Sequence, residues 1–261
     1  MKRQMYVLAL AVFVVSMSCQ FLIPTTDSSR DGVTISSCTE VVSAMRRLQP
    51  TGVIPKTLLE TGVKQGDAFD INEYFKVLPH LSMQDGYLLD YVYQVDGLGA
   101  YPILYAHPAD QPAYNSTNDL PEGFQWTDYH SHLVIEDVEQ GYFEFVTMSI
   151  MAGQFYLNWH ANYNDTKIVC NADAVDAIIA DLSDGNFGMP LDTSQRRQAR
   201  AMENIEPLVK LTDDSALVEI IIFTKWGGFY RWTYTISRSF PHTILDVQAE
   251  NLVEYDCGIM F

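Results

Sequence analysis

The sequence has few positively charged residues. Its 16 Lys and Arg stand against 33 Asp and Glu, so the 261-residue chain carries a formal charge of −17. Nucleic-acid binding depends on Lys and Arg side chains that neutralise phosphates, and an electric field of this sign repels a polyanion. The composition therefore argues against a nucleic-acid partner, and the solubility that an acidic surface confers explains the charge.

Cysteine is also scarce, with four residues: Cys19, Cys38, Cys170 and Cys257. None of them has the CxxC spacing of a zinc ribbon or a thioredoxin-like redox motif. Cys170 and Cys257 each follow a strand-like run, so we predict a disulfide between Cys170 and Cys257 in an oxidising compartment. Cys38 is the alternative partner.

Catalytic signatures are absent as well. The sequence contains no GxSxG elbow, no HExxH or SxxK motif, and no glycine-rich phosphate-binding or dinucleotide-binding loop. This absence favours a non-enzymatic role. The alternative is an enzyme whose active site has no local sequence signature.

Long apolar runs are limited to the N-terminus. A positively charged start precedes an apolar run over residues 5–15, and Ser16 and Ser18 lie at positions −3 and −1 relative to Cys19. A charged start, an apolar run of this length and a small-x-small exit are typical of a secretory signal. We therefore predict that residues 1–18 are a signal peptide and that the rest of the chain is exported.

The residue that follows this signal is Cys19. A small residue directly before a cysteine resembles the cleavage site of bacterial lipoproteins, and the resemblance implies that Cys19 is acylated and holds the protein at the outer face of the membrane. Ordinary cleavage would leave a plain thiol, and an uncleaved segment over residues 5–23 would itself anchor the chain. All three alternatives place the folded part outside, behind a tether at residues 19–35.

Residues 36–261 have the pattern of a single α+β domain. Capping signatures predict about four short helices, which begin near Ser37, Asp70, Asn171 and Asp192. The strand-like runs lie at residues 87–96, 100–106, 128–138, 142–151, 154–163, 217–226 and 229–236. Because consecutive strands are joined by short turns, we predict a predominantly antiparallel sheet of meanders and hairpins.

One cluster of ionisable residues lies in the strand predicted over residues 128–138. Alternate residues of a strand share a face, so Asp128, His130 and His132 would project together with Glu136. These are the side chains that bind zinc and similar divalent ions. The pattern makes a divalent-metal site a candidate, with a metal-dependent hydrolase as the alternative function and a solvated polar face of the sheet as the other interpretation.

Three aromatic residues lie at loop or turn positions, where they could stack on a sugar or a peptide: Trp126, Trp226 and Phe229. A two-residue turn at Gly227 and Gly228 would place Trp226 opposite Phe229. Packing in the core is the alternative role of these rings. The export signal, the tether, the acidity and the missing catalytic signatures favour a membrane-tethered binding or structural module of the cell envelope, whose partner is an envelope ligand or protein.

Overall fold

The computed structural model describes residues 31–66, 68–184 and 188–258. The predicted signal peptide, Cys19 and most of the predicted tether lie outside these residues. From Asp31 onward the chain forms one compact unit. A helix with the length and apolar character needed to cross a membrane is not found in the described part of the chain.

The described residues contain both helices and strands. The α-helices are α1 (Cys38–Leu48), α2 (Lys56–Thr61), α3 (Glu139–Met151), α4 (Ala172–Ser183) and α5 (Thr193–Arg200). The 3-10 helices are Ile71–Lys76, Thr117–Asp119, Asp128–His132 and His160–Asn164. The strands are β1 (Val33–Thr34), β2 (Leu81–Met83), β3 (Tyr87–Val95), β4 (Gly99–Pro108), β5 (Leu133–Ile135), β6 (Asn158–Trp159), β7 (Lys167–Val169), β8 (Leu208–Leu211), β9 (Ser215–Thr224), β10 (Gly228–Ser237) and β11 (Ile244–Glu254). Their pairings are antiparallel, which confirms the α+β class.

The main sheet has the strand order β1-β8-β9-β10-β11, with β7 also paired to β9. On one face lies the larger core, which includes Met45 of α1, Phe145 of α3 and Ile222 of β9. On the other face lies the second core, which includes Ile178 of α4 and Phe223 of β9. Successive strand residues point to opposite faces, so a strand with a core on each side is apolar at nearly every position. This explains the almost continuous apolar sequence of β9.

Two smaller sheets contain the remaining strands. β3 and β4 form the hairpin that was predicted over residues 87–106, and β4 also pairs with the short β6. β2 pairs with β5. Two predicted caps are also confirmed, because the side chain of Asn171 accepts the Ala174 N–H and Asp192 forms a reciprocal capping box with Gln195.

The predicted strand over residues 142–151 is wrong, because these residues belong to the helix α3. Helix α3 is buried on nearly all sides, so apolar residues occupy its whole circumference instead of one stripe. Its fully buried side chains are Tyr142, Phe143, Phe145, Val146, Thr147, Met148 and Met151. The polar residues Glu144, Thr147 and Ser149 do not form one exposed stripe, so the run lacks the amphipathic pattern of a surface helix, and its aromatic and β-branched composition resembles that of a strand.

The register of the β9–β10 hairpin also differs from the prediction. Phe229 lies opposite Phe223 and Gly228 opposite Thr224, so three residues rather than two connect the strands. The φ angle of Gly228 is +95°, and a Cβ atom there would lie 2.0 Å from the carbonyl oxygen of Val253 in β11. Gly228 therefore pairs within the sheet, and its lack of a side chain lets β11 lie close to it. This register buries Phe229 beside Phe223 in the second core.

The disulfide joins Cys38 to Cys170, with 5.6 Å between their Cα atoms, and not Cys170 to Cys257 as predicted. Cys38 at the start of α1 and Cys170 after β7 both belong to the larger core. Cys257 is a free, buried thiol of the second core, on the opposite side of the main sheet. The sheet itself therefore separates the pair that the sequence had favoured.

Strand β11 forms one edge of the main sheet, and in the described residues it pairs with β10 alone. Most of its side chains are exposed, including Leu245 and Val247. It also carries the carboxylates Asp246, Glu250 and Glu254. The edge is thus long, open and negatively charged.

Candidate ligand-binding site

The predicted metal ligands do not lie on one face of a strand. Residues Asp128–His132 form a 3-10 helix, in which positions two apart point in different directions. His130 is buried, whereas His132 stacks on Tyr87 with 4.1 Å between ring centroids and lies 3.1 Å from Gln84 Oε1. The two imidazoles therefore have separate environments.

The two predicted carboxylate ligands are also engaged elsewhere. The Oδ2 atom of Asp128 accepts the Gln125 N–H at 2.7 Å, and Glu136 Oε2 lies 4.0 Å from His80 Nε2. Across the described ranges, no group of three or more His, Cys, Asp or Glu side chains is arranged to hold a metal ion. The structure thus contradicts the metal site at Asp128, His130, His132 and Glu136, and the metal-dependent hydrolase loses the geometry that motivated it.

One of these residues does line a cavity. A cavity of about 420 Å³ lies between β4, the 3-10 helix Asp128–His132 and the C-terminal half of α3. We call it the aromatic pocket, and its wall includes Tyr101, Trp126, His130, Ser149, Gln154 and Leu157. Among the residues that the structure describes, none that lines it is an Asp, Glu, Lys or Arg. The lining is therefore apolar with a few neutral polar groups, which is typical of small-molecule sites.

The mouth of the aromatic pocket has an aromatic platform. The ring centroids of Tyr101 and Trp126 are 5.5 Å apart with an angle of 22° between the planes, so the rings are stacked. The Trp126 side chain is nevertheless 60% exposed, because its outer face is open to solvent. The hydrogen bond from Gln125 N–H to Asp128 stabilises the turn that carries Trp126. The predicted ligand contact at Trp126 therefore lies beside a cavity.

The other two aromatic candidates lie elsewhere. Phe229 is fully buried in the second core and is inaccessible to a ligand. Trp226 is 39% exposed in the β9–β10 turn and lies edge-on to Tyr163, with 6.0 Å between ring centroids. Neither ring lines the aromatic pocket.

His130 supplies a polar group to the apolar wall. Its Nε2 atom lies 3.1 Å from Ser149 Oγ, and the Ser149 hydroxyl donates to the Phe145 carbonyl at 2.8 Å. The serine has one hydroxyl proton, so in this arrangement His130 Nε2–H is the donor to Ser149. Burial lowers the pKa of His130 to about 4, so the imidazole is neutral near pH 7.

This pair is arranged for binding rather than for nucleophilic catalysis. A serine nucleophile needs a base that takes its proton, whereas the Ser149 proton is directed to the Phe145 carbonyl. Both protons of the pair are used within the protein, so the pair can offer an uncharged ligand only acceptor atoms.

A ridge over residues 154–159 forms one side of the aromatic pocket. Gln154 and Leu157 line the aromatic pocket and also a second hollow, of about 500 Å³, on the far side of the ridge. Arg46 Nη2 donates to Gln154 Oε1 and to Asp165 Oδ1, at 2.7 Å each. These contacts attach the ridge to α1.

Sequence reasoning identified His130 and Trp126 but missed Tyr101 and Gln154 as their neighbours. Tyr101 lies on β4 and Ser149 on α3, far apart along the chain, and neither carries a local motif. Only the packing of the hairpin against α3 brings them to one cavity. No family model, no curated protein and no solved structure matches the chain. The chemistry of the aromatic pocket is therefore the basis for a functional inference.

Proposed function

We propose that the protein is an exported, membrane-tethered module that binds an uncharged ligand in the aromatic pocket. The observation that carries this proposal is the lining of the pocket, which has an exposed aromatic platform and no charged side chain in a protein with a formal charge of −17. A charged ligand would lose hydration there without gaining an opposite charge. A neutral ligand with an apolar face avoids that cost.

The polar groups of the pocket restrict the ligand further. His130 and Ser149 offer neutral acceptors, Gln154 offers an amide group, and the Trp126 ring, backed by Tyr101, offers a flat apolar surface. A molecule with one apolar face and hydroxyl or amide groups at its edge complements both. A simple sugar has this character.

The cysteines support the tether. Cys38 and Cys170 are bonded to each other, and Cys257 is only 3% exposed. No exposed cysteine in the described part of the chain is therefore available to pair with Cys19. This leaves acylation as the role that best fits Cys19 and the small-residue exit before it.

The pocket is tested by titrating the soluble fragment 31–261 with N-acetylglucosamine, and with glucosamine and glucuronate as its charged counterparts. We expect the neutral sugar to bind, and at about 100 times its dissociation constant to stabilise the fold by about 2.7 kcal/mol, or roughly 5–10 °C in melting temperature. Trp126→Ala should weaken this binding about tenfold, because it removes the stacking surface.

Leu245→Ala is the matched control, since Leu245 is an equally exposed apolar residue on β11. It should leave the affinity unchanged. If either charged sugar binds as tightly as the neutral one at high salt, or if Trp126→Ala has no effect, the pocket is not the site of an uncharged ligand.

The tether is tested by expressing the full chain in a bacterial host with radiolabelled palmitate. We expect the parent protein to be labelled and to sediment with membranes, and Cys19→Ala to be unlabelled, because acyl chains need the Cys19 side chain and a free N-terminus. A Cys19→Ala protein that still sediments with membranes would indicate an uncleaved anchor. A soluble, unlabelled parent would indicate ordinary cleavage.

A further inference from the structure

The ridge beside the aromatic pocket has an unusual backbone. Three non-glycine residues have a positive φ angle within the described ranges, and two of them, Tyr156 and Trp159, lie in this one segment. The third is Asn204, a residue type that tolerates the left-handed region. Aromatic residues rarely adopt this conformation, so the ridge concentrates backbone strain.

The conformation of Trp159 is one that normally requires glycine. Its φ and ψ angles are +48° and −116°, as at the first central position of a type II′ turn. Pairing with β4 holds it there, because Trp159 lies opposite Gly99 and the next N–H, of His160, donates to the Leu98 carbonyl at 3.3 Å. Strain of this kind persists only where the surroundings impose it.

The strain at Trp159 is not offset by burial of the indole. The indole contacts the His160 ring, with 4.1 Å between centroids, yet 58% of the Trp159 side chain is exposed. A glycine at this position would remove the strain and lose little buried surface. Because strained residues cluster at ligand sites, the exposed ring points to a role in binding.

Trp159 lies next to the aromatic pocket. Leu157 and Ala161, two residues before and after it, both line that pocket. Trp159 is paired with Gly99, and Tyr101 is two residues further along β4. With about 5 Å between paired Cα atoms and about 3.3 Å per strand residue, the Cα atoms of Trp159 and Tyr101 are at most about 12 Å apart. A chain of a few linked sugar rings covers that distance.

We propose that Trp159 forms a second aromatic subsite and that the ligand is an uncharged oligosaccharide; this inference rests on the proposed function of the aromatic pocket. A pyranose ring presents its C–H groups on one face and its hydroxyl groups at the edge, so each ring can stack on an aromatic side chain. One sugar ring lies against Trp126, which is backed by Tyr101, and a later ring lies against Trp159. Gln154, which lines the aromatic pocket, provides an amide group for the hydroxyl groups of the sugar.

The test is a titration with β-1,4-linked N-acetylglucosamine and glucose oligomers of one to six rings. We expect the affinity of the parent for at least one series to rise about tenfold from the single sugar to the trimer, as a second ring gains a stacking partner. Trp159→Gly should lose this gain, keep the affinity for the single sugar, and melt no lower than the parent. Trp126→Ala should weaken the binding of every length.

Two matched variants separate binding from backbone effects. Asn204→Gly relieves the other positive φ angle at an exposed position outside the pocket, and it should leave binding unchanged. Trp159→Phe keeps a ring in place and should retain most of the gain with length.

Several results would overturn the second subsite. The first is that Trp159→Gly still gains affinity as the oligomer lengthens. The second is that Trp159→Gly melts several degrees below the parent. The third is that the protein binds neutral phosphatidylcholine vesicles through Trp159 and binds no oligosaccharide. If the single sugar binds through Trp126 but longer oligomers bind no better, the proposed function stands and this inference fails. If the parent binds no sugar of any length, both fail.

Discussion

Replacing Cys170 by alanine is expected to lower the free energy of unfolding by about 2–5 kcal/mol. The bond between Cys38 and Cys170 links residues 132 positions apart, so it closes a loop of about half the chain. The loss of chain entropy in the unfolded state alone corresponds to about 5 kcal/mol for a loop of this length. Cys38→Ala should have the same effect, because either change removes the same bond.

The control for this prediction is Cys257→Ala. Cys257 is buried but unbonded, so its replacement removes one sulfur atom from the second core and should cost only about 1 kcal/mol. Urea unfolding curves of the three single variants and of the Cys38/Cys170 double variant provide the measurement. If the double variant is no less stable than either single variant, Cys38 and Cys170 stabilise the fold through the same bond. If Cys257→Ala is as damaging as Cys170→Ala while Cys38→Ala is mild, the sequence-based pairing was correct after all.

Acid is expected to destabilise the domain through His130. Burial holds the pKa of His130 at about 4 in the folded protein, against 6.5 for an exposed histidine. The unfolded chain therefore binds a proton in a pH range where the folded protein does not, and stability falls as the pH decreases. The contribution of neutral His130 to the free energy of unfolding is fully present above pH 6.5 and is lost as the pH falls towards 4. It amounts to about 2–3 kcal/mol between pH 7.5 and 4.5.

This prediction is measured as the difference in pH dependence between the parent and His130→Gln. Titrating carboxylates contribute equally to both proteins, so the difference isolates His130. The variant should be less stable at pH 7.5, because Gln fills the site less well, and it should lose less stability on acidification. His132→Gln is the control, since His132 is only partly buried: burial lowers its pKa, and the Asp128 carboxylate acts against that shift. Parallel stability curves for the parent and His130→Gln would show that His130 is not held neutral by burial.

Local sequence patterns predicted the elements whose signals are local. The side chains of Asn171 and Asp192 cap their helices as the capping rules require, because a cap involves residues three apart. The hairpin over β3 and β4 is likewise marked by its alternating residues and its Gly-containing turn. These features depend on neighbours along the chain.

The predictions that failed depend on the rest of the fold. Helix α3 was read as a strand because burial on all sides removes the polar stripe that identifies a helix, and this burial comes from α1 and the main sheet. The metal site failed for a separate reason, since residues Asp128–His132 form a 3-10 helix instead of the predicted strand and positions two apart do not share a face. The register of β10 follows the approach of β11 to Gly228, which a two-residue turn rule does not consider.

The candidate site was only partly predictable for the same reason. Trp126 was identified because an aromatic residue in a polar loop is conspicuous, and His130 because of its neighbours in the sequence. Tyr101 and Trp159 carry no such signal. The role of Trp159 depends on a φ angle of +48°, which the amino-acid sequence does not display.

The acidic edge formed by β11 has a consequence for the tethered form that we propose. Acyl anchors confine many copies to one plane with their domains at a similar height, which raises the rate at which edges of neighbouring molecules meet. An open strand of eleven residues would then be a template for joining sheets between molecules. Asp246, Glu250 and Glu254 place like charges along that strand, so two such edges repel each other before their backbones can pair. The acidity of this edge would therefore keep crowded copies of the tethered form separate.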